Sequence, residues 1–342
     1  MSNFKKVGVA SLVVLVALVF NVIHPPPPRK CSTPGGPPST NRIELRDGRH
    51  LVYREYGVPK EVAKYKVVLV HSLGASKYEA SLLTSPAVEE LGVYLVSFDR
   101  PGYGKSDPNP KQTFKSLAFD IEELADQLGL GNKFYVIGLS MGGHLIWGCL
   151  KYIPQRLAGA ALLAPTINFW WPGFPEKLMK EAYNKQLLQD QRLYRVAYYA
   201  PWLMYWWNTQ KWFPCASVIN ANWQASKQDL EIYSKLDEML LHEAYVTQQG
   251  EFESLHRDLI IGFGKPEFDP MDMENPFPNN EGNVHLWHGD DDGLVPVELQ
   301  SFIAKKLPWI KYREVQGGGH IFPYGDYIVR DDIWKTFLNG KK

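Results

Sequence analysis

Short apolar segments that alternate with amphipathic ones limit the folds open to this sequence. Short runs of apolar residues are typical of strands buried on both faces of a sheet. Their alternation with helices predicts an α/β fold, with a mostly parallel central sheet flanked by helices. The segment RIELRDGRHLVYREYG adds a predicted hairpin around Asp47 and Gly48. The predicted strands are 66–71, 93–98, 134–138, 159–164, 284–288 and 312–315. The predicted helices are 81–91, 114–128, 141–152, 297–306 and 327–338.

One long segment interrupts this alternation. More than a hundred residues separate the fourth and fifth of these strands, and their pattern is helical. Residues 168–223 hold seven of the eleven tryptophans of the chain. We therefore predict a core formed by residues 41–166 and 283–342, with an inserted helical cap at 167–282. The aromatic density of the cap suits an apolar site wall or a membrane-facing surface, and equally a well-packed helical layer.

The N-terminus has a different character. VGVASLVVLVALVFNVI, residues 7–23, contains 17 residues without a charge, and as a helix it would span about 25 Å. A cleaved signal peptide would need small residues at a cleavage site soon after this run. Prolines stand there instead, in FNVIHPPPP. We therefore expect an uncleaved membrane anchor at 1–24, followed by a Pro/Gly-rich spacer at 25–40.

Charge gives weak guidance on the location of the domain and clearer guidance on its partners. Basic residues both precede and follow the apolar run, so the positive-inside rule barely discriminates between the two orientations of the chain across a membrane. None of the 15 asparagines lies in an N-x-[ST] sequon, which favours a cytosolic domain. We expect the anchor to lie in the endoplasmic reticulum membrane.

Lys+Arg and Asp+Glu both number 37, which argues against a nucleic-acid partner. The three cysteines show no metal-binding spacing.

The segment GLSMG, residues 138–142, is a G-x-S-x-G motif between a predicted strand and a predicted helix. That context is the one in which the motif forms a nucleophile elbow. Glycines allow the tight strand-to-helix turn, which exposes the Ser140 hydroxyl at the edge of the sheet. The N–H groups that begin the next helix, starting with Met141, can then stabilise an oxyanion.

A serine hydroxyl needs a base, and the base needs an acid to orient it. WHGDDDGLVP offers three aspartates after a predicted strand. Asp292 is favoured because it stands four residues before Pro296, and Asp290 is the alternative. His320, in VQGGGHIFPY, follows the last predicted strand and is the candidate base. The resulting chain order is Ser, Asp, His.

The second oxyanion donor is expected in the loop after the first parallel strand, LVHSLGAS. We predict the backbone N–H groups of Leu73 and Met141 as the two donors. His71 is expected to shape this loop rather than to react. His144, His285 and His288 fit the role of base less well, since His144 lies within a predicted helix and the other two lie on a predicted strand.

These motifs together resemble the α/β-hydrolase superfamily: VHSLG, SFDRPGYGKSD, GLSMGG, WHGDDDGLVP and GGGH, over roughly residues 41–340. The whole chain looks like a plant group of membrane-anchored serine hydrolases, through its apolar start, its PPPPRKCSTPGGPP spacer and its LRDGRHLVYREYGVPK opening. One position departs from the family pattern, where His-Gly is usual and this chain has His71-Ser72. Serine at position 140 disfavours the epoxide hydrolases and haloalkane dehalogenases, which have aspartate at that position.

The resemblance implies a serine hydrolase that cleaves carboxylic esters of a hydrophobic small molecule or lipid through an acyl-enzyme, without a metal or an organic cofactor. Two alternatives stay open on the sequence alone. The same triad could transfer the acyl group to an alcohol. The hydrolase pocket could also serve a ligand-binding receptor without turnover, because fold does not fix function.

Overall fold

A single eight-stranded sheet crosses the protein, described here by a computed structural model that covers residues 3–29, 41–236 and 243–339. The strand order is β1-β2-β4-β3-β5-β6-β7-β8. The first two strands pair antiparallel and β2 runs antiparallel to β4, whereas all pairs from β4 to β8 are parallel. The strands are β1 Arg42–Glu44, β2 His50–Gly57, β3 Tyr65–Val70, β4 Val93–Phe98, β5 Phe134–Leu139, β6 Leu157–Leu163, β7 Val284–Gly289 and β8 Ile310–Val315.

The apolar runs form strands because helices cover both faces of the sheet. Along β3, Val68 and Val70 pack into one apolar layer, and Val67 and Leu69 pack into the other. Successive side chains of a strand point to opposite faces, so a continuous apolar run fits only a sheet that is covered twice. The predicted α/β fold is confirmed. The hairpin also forms, with Gly48 at a φ of 83° in its turn.

Thirteen α-helices are described in the three ranges. They are α1 Asn3–Ile23, α2 Ala80–Leu83, α3 Pro86–Glu90, α4 Phe114–Gln127, α5 Met141–Tyr152, α6 Glu176–Lys185, α7 Leu188–Tyr199, α8 Met204–Thr209, α9 Lys227–Tyr233, α10 Glu243–Val246, α11 Arg257–Phe263, α12 Val297–Lys306 and α13 Tyr327–Asn339. Helices α4, α5 and α12 cover one face of the sheet, and α2, α3 and α13 cover the other.

One helix prediction was wrong. Residues 81–91 were expected to form one helix, and the structure has two short helices, α2 and α3. The break is at Ser85, which is extended with φ −150° and ψ 171°. Pro86 follows it, and the ring of a proline disfavours helical geometry in the preceding residue. Pro86 itself is tolerated at the first position of α3, where no intrahelical N–H bond is lost.

The segment between β6 and β7 contains α6 to α11, and no strand occurs in its described part. The N-terminal residues form α1, and most of the predicted spacer, 30–40, lies outside the described residues. Across the three ranges covered, no helix is long and apolar enough to cross a membrane. The membrane anchor therefore stays a prediction.

A buried ion pair joins the inserted helices to the sheet. Arg100, which is fully buried, binds both carboxylate oxygens of Asp258 on α11 at 2.6 Å. The guanidinium also donates to the carbonyl oxygens of His71 at 3.0 Å and Ser72 at 3.1 Å. The Tyr103 hydroxyl completes the site with a 2.6 Å bond to Asp258. Three chain segments distant in sequence thus meet at one satisfied charge pair.

Removing the charge of Asp258 should destabilise the protein strongly. In Asp258→Asn the Arg100 guanidinium keeps its burial but loses its counter-ion, which typically costs about 3–5 kcal/mol of unfolding free energy. Chemical denaturation followed by tryptophan fluorescence measures this loss. The control is Glu231→Gln, which breaks the exposed Glu231–Lys235 pair and should leave the denaturation midpoint unchanged. Equal midpoints for the two variants would contradict the assigned role of the Arg100–Asp258 pair.

Candidate active site

The strand-to-helix turn at Ser140 is tight enough to require glycine on both sides. Ser140 has φ 54° and ψ −119°, a strained conformation for a residue with a side chain. A Cβ on Gly138 would lie 2.6 Å from the carbonyl carbon of Gly142, and one on Gly142 would overlap the Val70 carbonyl oxygen. The glycines of GLSMG are therefore needed for the close approach of α5 to β3 and β5, and this approach sets the position of the Ser140 hydroxyl.

The structure brings together the three residues predicted from three separate motifs. His320 Nε2 lies 2.9 Å from Ser140 Oγ, and His320 Nδ1 lies 2.8 Å from Asp292 Oδ2. Ser140 is 8% exposed and His320 is 4% exposed. The other oxygen of Asp292 accepts from the N–H groups of Leu294 at 2.8 Å and Val295 at 2.9 Å. These bonds hold the Asp292 carboxylate in place beside His320.

Burial and charge act in opposite directions on this pair. Burial alone would lower the pKa of His320, but the Asp292 carboxylate and its hydrogen bond outweigh burial and hold that pKa above its ordinary value. Burial alone would raise the pKa of Asp292, but His320 holds it below its ordinary value. Asp292 is thus ionised, and His320 is a stronger base than a free histidine. This is the electrostatic arrangement that a general base needs.

The two neighbouring aspartates have other roles. Asp290, the alternative acid, accepts from the Gly317 N–H at 2.6 Å and so braces the loop that carries His320. Asp291 is exposed, and its own N–H donates to the Gly318 carbonyl at 2.9 Å. Neither carboxylate is recorded in contact with His320 in the described part of the chain.

The other candidate histidines are held in neutral, structural states. The Nε2 atom of His71 accepts from the Arg100 N–H at 3.0 Å, so its Nδ1 carries the proton that is donated to the Ser72 carbonyl. Burial keeps the pKa of His71 well below its ordinary value. Burial likewise lowers the pKa of His144 and of His285 to about 4. Among the described histidines, only His320 lies within hydrogen-bonding distance of Ser140.

The loop 71–76, where one oxyanion donor was predicted, is held by a buried carboxyl. Glu79 accepts from the Ser72 N–H at 3.0 Å, from the Ser72 hydroxyl, and from the Tyr324 hydroxyl at 2.6 Å. Ser72 is thus turned onto Glu79. Leu73 and Met141 both line the cavity beside Ser140. Within the described residues, the backbone N–H groups of these two residues have no recorded acceptor, so both can donate to a bound ligand.

A cavity of about 200 Å³ opens onto Ser140 and His320. Its wall is mainly apolar, and much of it comes from the helices and loops inserted between β6 and β7. The apolar residues include Phe169, Leu193, Val218, Trp223 and Phe263. The aromatic residues of the cap lie in three environments. Some line the cavity, others such as Trp171 are buried in the core, and others such as Trp202 and Trp212 are exposed.

The roles of two residues near the site were not predicted. His288 Nε2 donates to the Val295 carbonyl at 3.0 Å and lies 3.2 Å from Asp292 Oδ2, so its ring packs beside the carboxylate. The sequence indicated this contact only through the spacing of four residues between His288 and Asp292. Asp229, at the start of α9, accepts from the Ile321 N–H at 2.8 Å and ties the His320 loop to the cap. Nothing in the local sequence indicates that contact, which spans 92 positions.

Comparison with known proteins places this fold among hydrolases. A family described as the alpha/beta hydrolase fold matches residues 65–326. RutD of Caulobacter vibrioides, named as a carbamate hydrolase, is 24% identical over 86% of this chain and 96% of its own. The abhydrolase domain-containing protein abhd-5.2 of Caenorhabditis elegans is 32% identical over 36% of this chain, which spans only 28% of that protein.

A solved structure agrees with the family match. The esterase of Thermogutta terrifontis superposes with a TM-score of 0.60 at 19% identity, over 87% of this chain and 98% of its own. Identity at that level shows a shared fold. The family match covers most of the chain and includes the strands and loops that carry Ser140, Asp292 and His320. This protein therefore belongs to the α/β-hydrolase fold family.

Proposed function

We propose that the protein is a serine hydrolase that cleaves carboxylic esters through an acyl-enzyme. The observation that carries the proposal is the hydrogen-bonded chain from Ser140 Oγ through His320 to Asp292, with distances of 2.9 and 2.8 Å. The raised pKa of His320 supports its role as the base. Family membership and an esterase of the same fold point in the same direction.

The proposed reaction follows from this geometry. His320 Nε2 takes the hydroxyl proton as Ser140 Oγ attacks the ester carbonyl carbon. The N–H groups of Leu73 and Met141 receive the oxyanion that forms on the carbonyl oxygen. When the intermediate collapses, the C–O bond to the alcohol breaks and His320 returns the proton to the departing oxygen. Water then attacks the acyl-enzyme, again giving a proton to His320, and the acid is released as Ser140 regains its hydrogen.

The cavity supports a hydrophobic ester as the substrate class. An apolar wall stabilises an alkyl or aromatic group in proportion to the apolar area that it removes from water. Transfer of the acyl group to an alcohol is the second candidate function, and the low exposure of Ser140 and His320 favours it because water access is restricted. The ratio of new ester to free acid, measured with an added alcohol, separates these two functions.

We further propose that α1 holds the hydrolase at the cytosolic face of a membrane. The side chains of Leu12, Val16 and Phe20 on this helix are exposed, and exposed apolar surface of this extent favours contact with lipid. The exposed Trp202 and Trp212 suit the same contact, because tryptophan is enriched at membrane interfaces.

Labelling with a fluorophosphonate probe tests the nucleophile. The wild-type full-length chain should react covalently at Ser140, since only a serine activated by a base attacks the probe at a useful rate. Ser140→Ala should show at least about a hundredfold less labelling. Heat-denatured wild-type protein is the control for non-specific reaction. A folded wild-type sample without labelling would contradict the proposal and favour the ligand-binding receptor.

The pH dependence of ester hydrolysis tests the pairing of His320 with Asp292. Because His320 must be neutral to act as a base, kcat/KM should fall as the pH drops through a midpoint above 6.5, the ordinary histidine value. In Asp292→Asn the carboxylate is lost and burial dominates, so the midpoint should move to lower pH, and the plateau should fall roughly 10⁴-fold. Asp290→Asn is the matched control, with an unchanged midpoint. An unchanged midpoint in Asp292→Asn would exclude Asp292 as the partner.

Vesicle flotation tests the proposed membrane contact. The wild-type chain should float with phospholipid vesicles, and the triple variant Leu12→Lys, Val16→Lys, Phe20→Lys should stay in the soluble fraction. A charged lysine on this face opposes its burial in the apolar part of the lipid interface. Val62→Lys, at an exposed apolar residue of the core domain, is the control and should float normally. Equal flotation of the triple variant and the wild type would refute the contact.

A further inference from the structure

The segment 223–229, which lies in the insert between β6 and β7, packs against the loop that carries the predicted acid. The backbone carbonyl of Gln224 approaches Gly293, the residue directly after Asp292, so closely that a Cβ at Gly293 would overlap the carbonyl oxygen. Only glycine fits at position 293 while this contact is kept. The acid loop therefore packs on the insert at the position next to the residue that supplies the carboxylate.

The same segment packs against the loop that carries the predicted base. A Cβ at Gly319, the residue directly before His320, would overlap the Asp229 carboxylate and the Ser226 hydroxyl. The Trp223 ring lies beside the imidazole, with the ring centroids 6.1 Å apart and the two planes at 70°. The loops that carry the acid and the base thus share one packing partner, and that partner belongs to the insert.

Both backbone N–H groups that flank His320 are bound by side chains of this segment. The Gly319 N–H donates to Gln228 Oε1 at 2.7 Å, and the Ile321 N–H donates to Asp229 Oδ1 at 2.8 Å. The two acceptors are neighbours on α9, and they lie 91 and 92 positions from their donors in the sequence. These bonds fix the backbone on both sides of the histidine, so they help to set where its ring lies.

Helix capping accounts for part of this arrangement. Asp229 Oδ2 accepts from the Ser226 N–H at 3.0 Å, and the Ser226 hydroxyl accepts from the Asp229 N–H at 3.1 Å. This is a capping box at the start of α9, and it uses one carboxylate oxygen. It does not explain why the other oxygen binds the Ile321 N–H. It also does not explain why Gln228, which is outside the box, binds the Gly319 N–H.

The charge of Asp229 also acts on His320. Burial lowers the pKa of His320, the Asp292 carboxylate and its hydrogen bond raise it, and the Asp229 charge adds a smaller increase. His288 on β7 is the other titratable group beside this site, and burial holds its pKa below the ordinary value, so it is uncharged at neutral pH. The imidazolium that forms when His320 takes a proton is thus stabilised by two carboxylates, one from the core and one from the insert.

We propose that Gln228 and Asp229 are positioning residues for the base, and that the active site is complete only when the segment 223–229 is packed against both loops. Neither side chain lines the cavity beside Ser140. They act through the backbone on either side of His320, and Asp229 acts through its charge as well. This inference rests on the proposed ester hydrolysis and extends it, because it assigns part of the geometry of the base to the insert.

Two substitutions of Gln228 test the backbone contact in the full-length protein. Gln228→Ala removes the acceptor of the Gly319 N–H without changing a charge. Hydrolysis of a p-nitrophenyl ester, followed by chromatography of the released acid, should show kcat reduced about tenfold, because small misplacements of a reacting group slow catalysis strongly. KM should change less than about twofold, because Gln228 does not line the cavity. Gln228→Glu keeps an acceptor oxygen and should restore most of kcat.

Asp229→Asn tests the charge. The asparagine keeps an oxygen that can accept from the Ile321 N–H, but the carboxylate charge is lost. The imidazolium of His320 is then less stabilised, so the pH midpoint of kcat/KM should move to lower pH. Gln228→Ala should leave that midpoint unchanged, because it removes no charge. A purely structural contact would lower the melting temperature without moving the midpoint.

Asp269→Asn is the matched control. Asp269 is also a buried carboxylate of the insert that accepts from two backbone N–H groups, those of Met271 at 2.9 Å and Gly173 at 2.6 Å. It does not line the cavity. The variant should keep the wild-type kcat and pH midpoint. Thermal melting of every variant identifies any protein that has failed to fold, and fluorophosphonate labelling reports the reactivity of Ser140.

Each outcome decides the proposal. A loss of kcat in Gln228→Ala that Gln228→Glu restores, together with a lower midpoint in Asp229→Asn, supports it. An unchanged kcat in Gln228→Ala, or an unchanged midpoint in folded Asp229→Asn, would overturn it and leave ester hydrolysis standing. Equal changes in Asp269→Asn would also overturn it, since any disturbance of the insert would then have the same effect.

Two further results are equally decisive. If Asp229→Asn does not fold, the two Gln228 variants decide, because Gln228 is only half-buried and its substitution should be tolerated. No hydrolysis and no labelling in the folded wild type would remove the proposed function, and the positioning roles with it.

Discussion

The site depends on a close backbone crossing between β3, β5 and the start of α5. That crossing leaves no space for a side chain at Gly138 or Gly142, because a Cβ at either position would collide with backbone atoms. The crossing holds Ser140 at a φ of 54° and directs its hydroxyl to His320. Such backbone strain persists only where surrounding packing enforces it. The buried sheet, covered by apolar layers on both faces, provides that packing.

Buried charged side chains around the crossing hold two loops that have no strand pairing of their own. Arg100 connects the loop at His71 and Ser72 to Asp258 on α11. Asp229 connects the loop after β8 to α9. The inserted helices therefore contribute more than a cavity wall, since they hold the segments carrying the predicted oxyanion donor and the predicted base. Loss of packing between the insert and the sheet should affect the geometry at Ser140 even where no cavity residue changes.

Local patterns were sufficient to predict the sheet and the three members of the hydrogen-bonded chain. Strand runs such as 93–98 are apolar throughout because both faces are covered, and the GLSMG, GDDDGLVP and GGGH segments each stand at the end of a strand. The carboxyl ends of parallel strands meet at one edge of a sheet, so motifs distant in sequence converge there. Asp292 could be chosen over Asp290 because of its distance from Pro296.

Contacts between distant segments were beyond the reach of sequence patterns. Glu79 lies 245 positions from Tyr324, and only the folded chain brings them together around Ser72. The same holds for Asp190 and Ser217, which are 27 positions apart in a region without strand register. The helical periodicity of residues 81–91 favoured the prediction of one continuous helix. Pro86 nevertheless holds the preceding Ser85 in an extended conformation, and the helix divides there.

The most direct test of the central claim is the intact mass of the protein during turnover of a p-nitrophenyl ester. Rapid acid quenching should trap a population whose mass is increased by one acyl group, and peptide mapping should place that group on Ser140. Ser140→Ala should show no increase. Turnover without any acyl adduct on Ser140, or with the same adduct in Ser140→Ala, would contradict the account, because the proposed reaction requires a covalent bond between Ser140 Oγ and the acyl carbon.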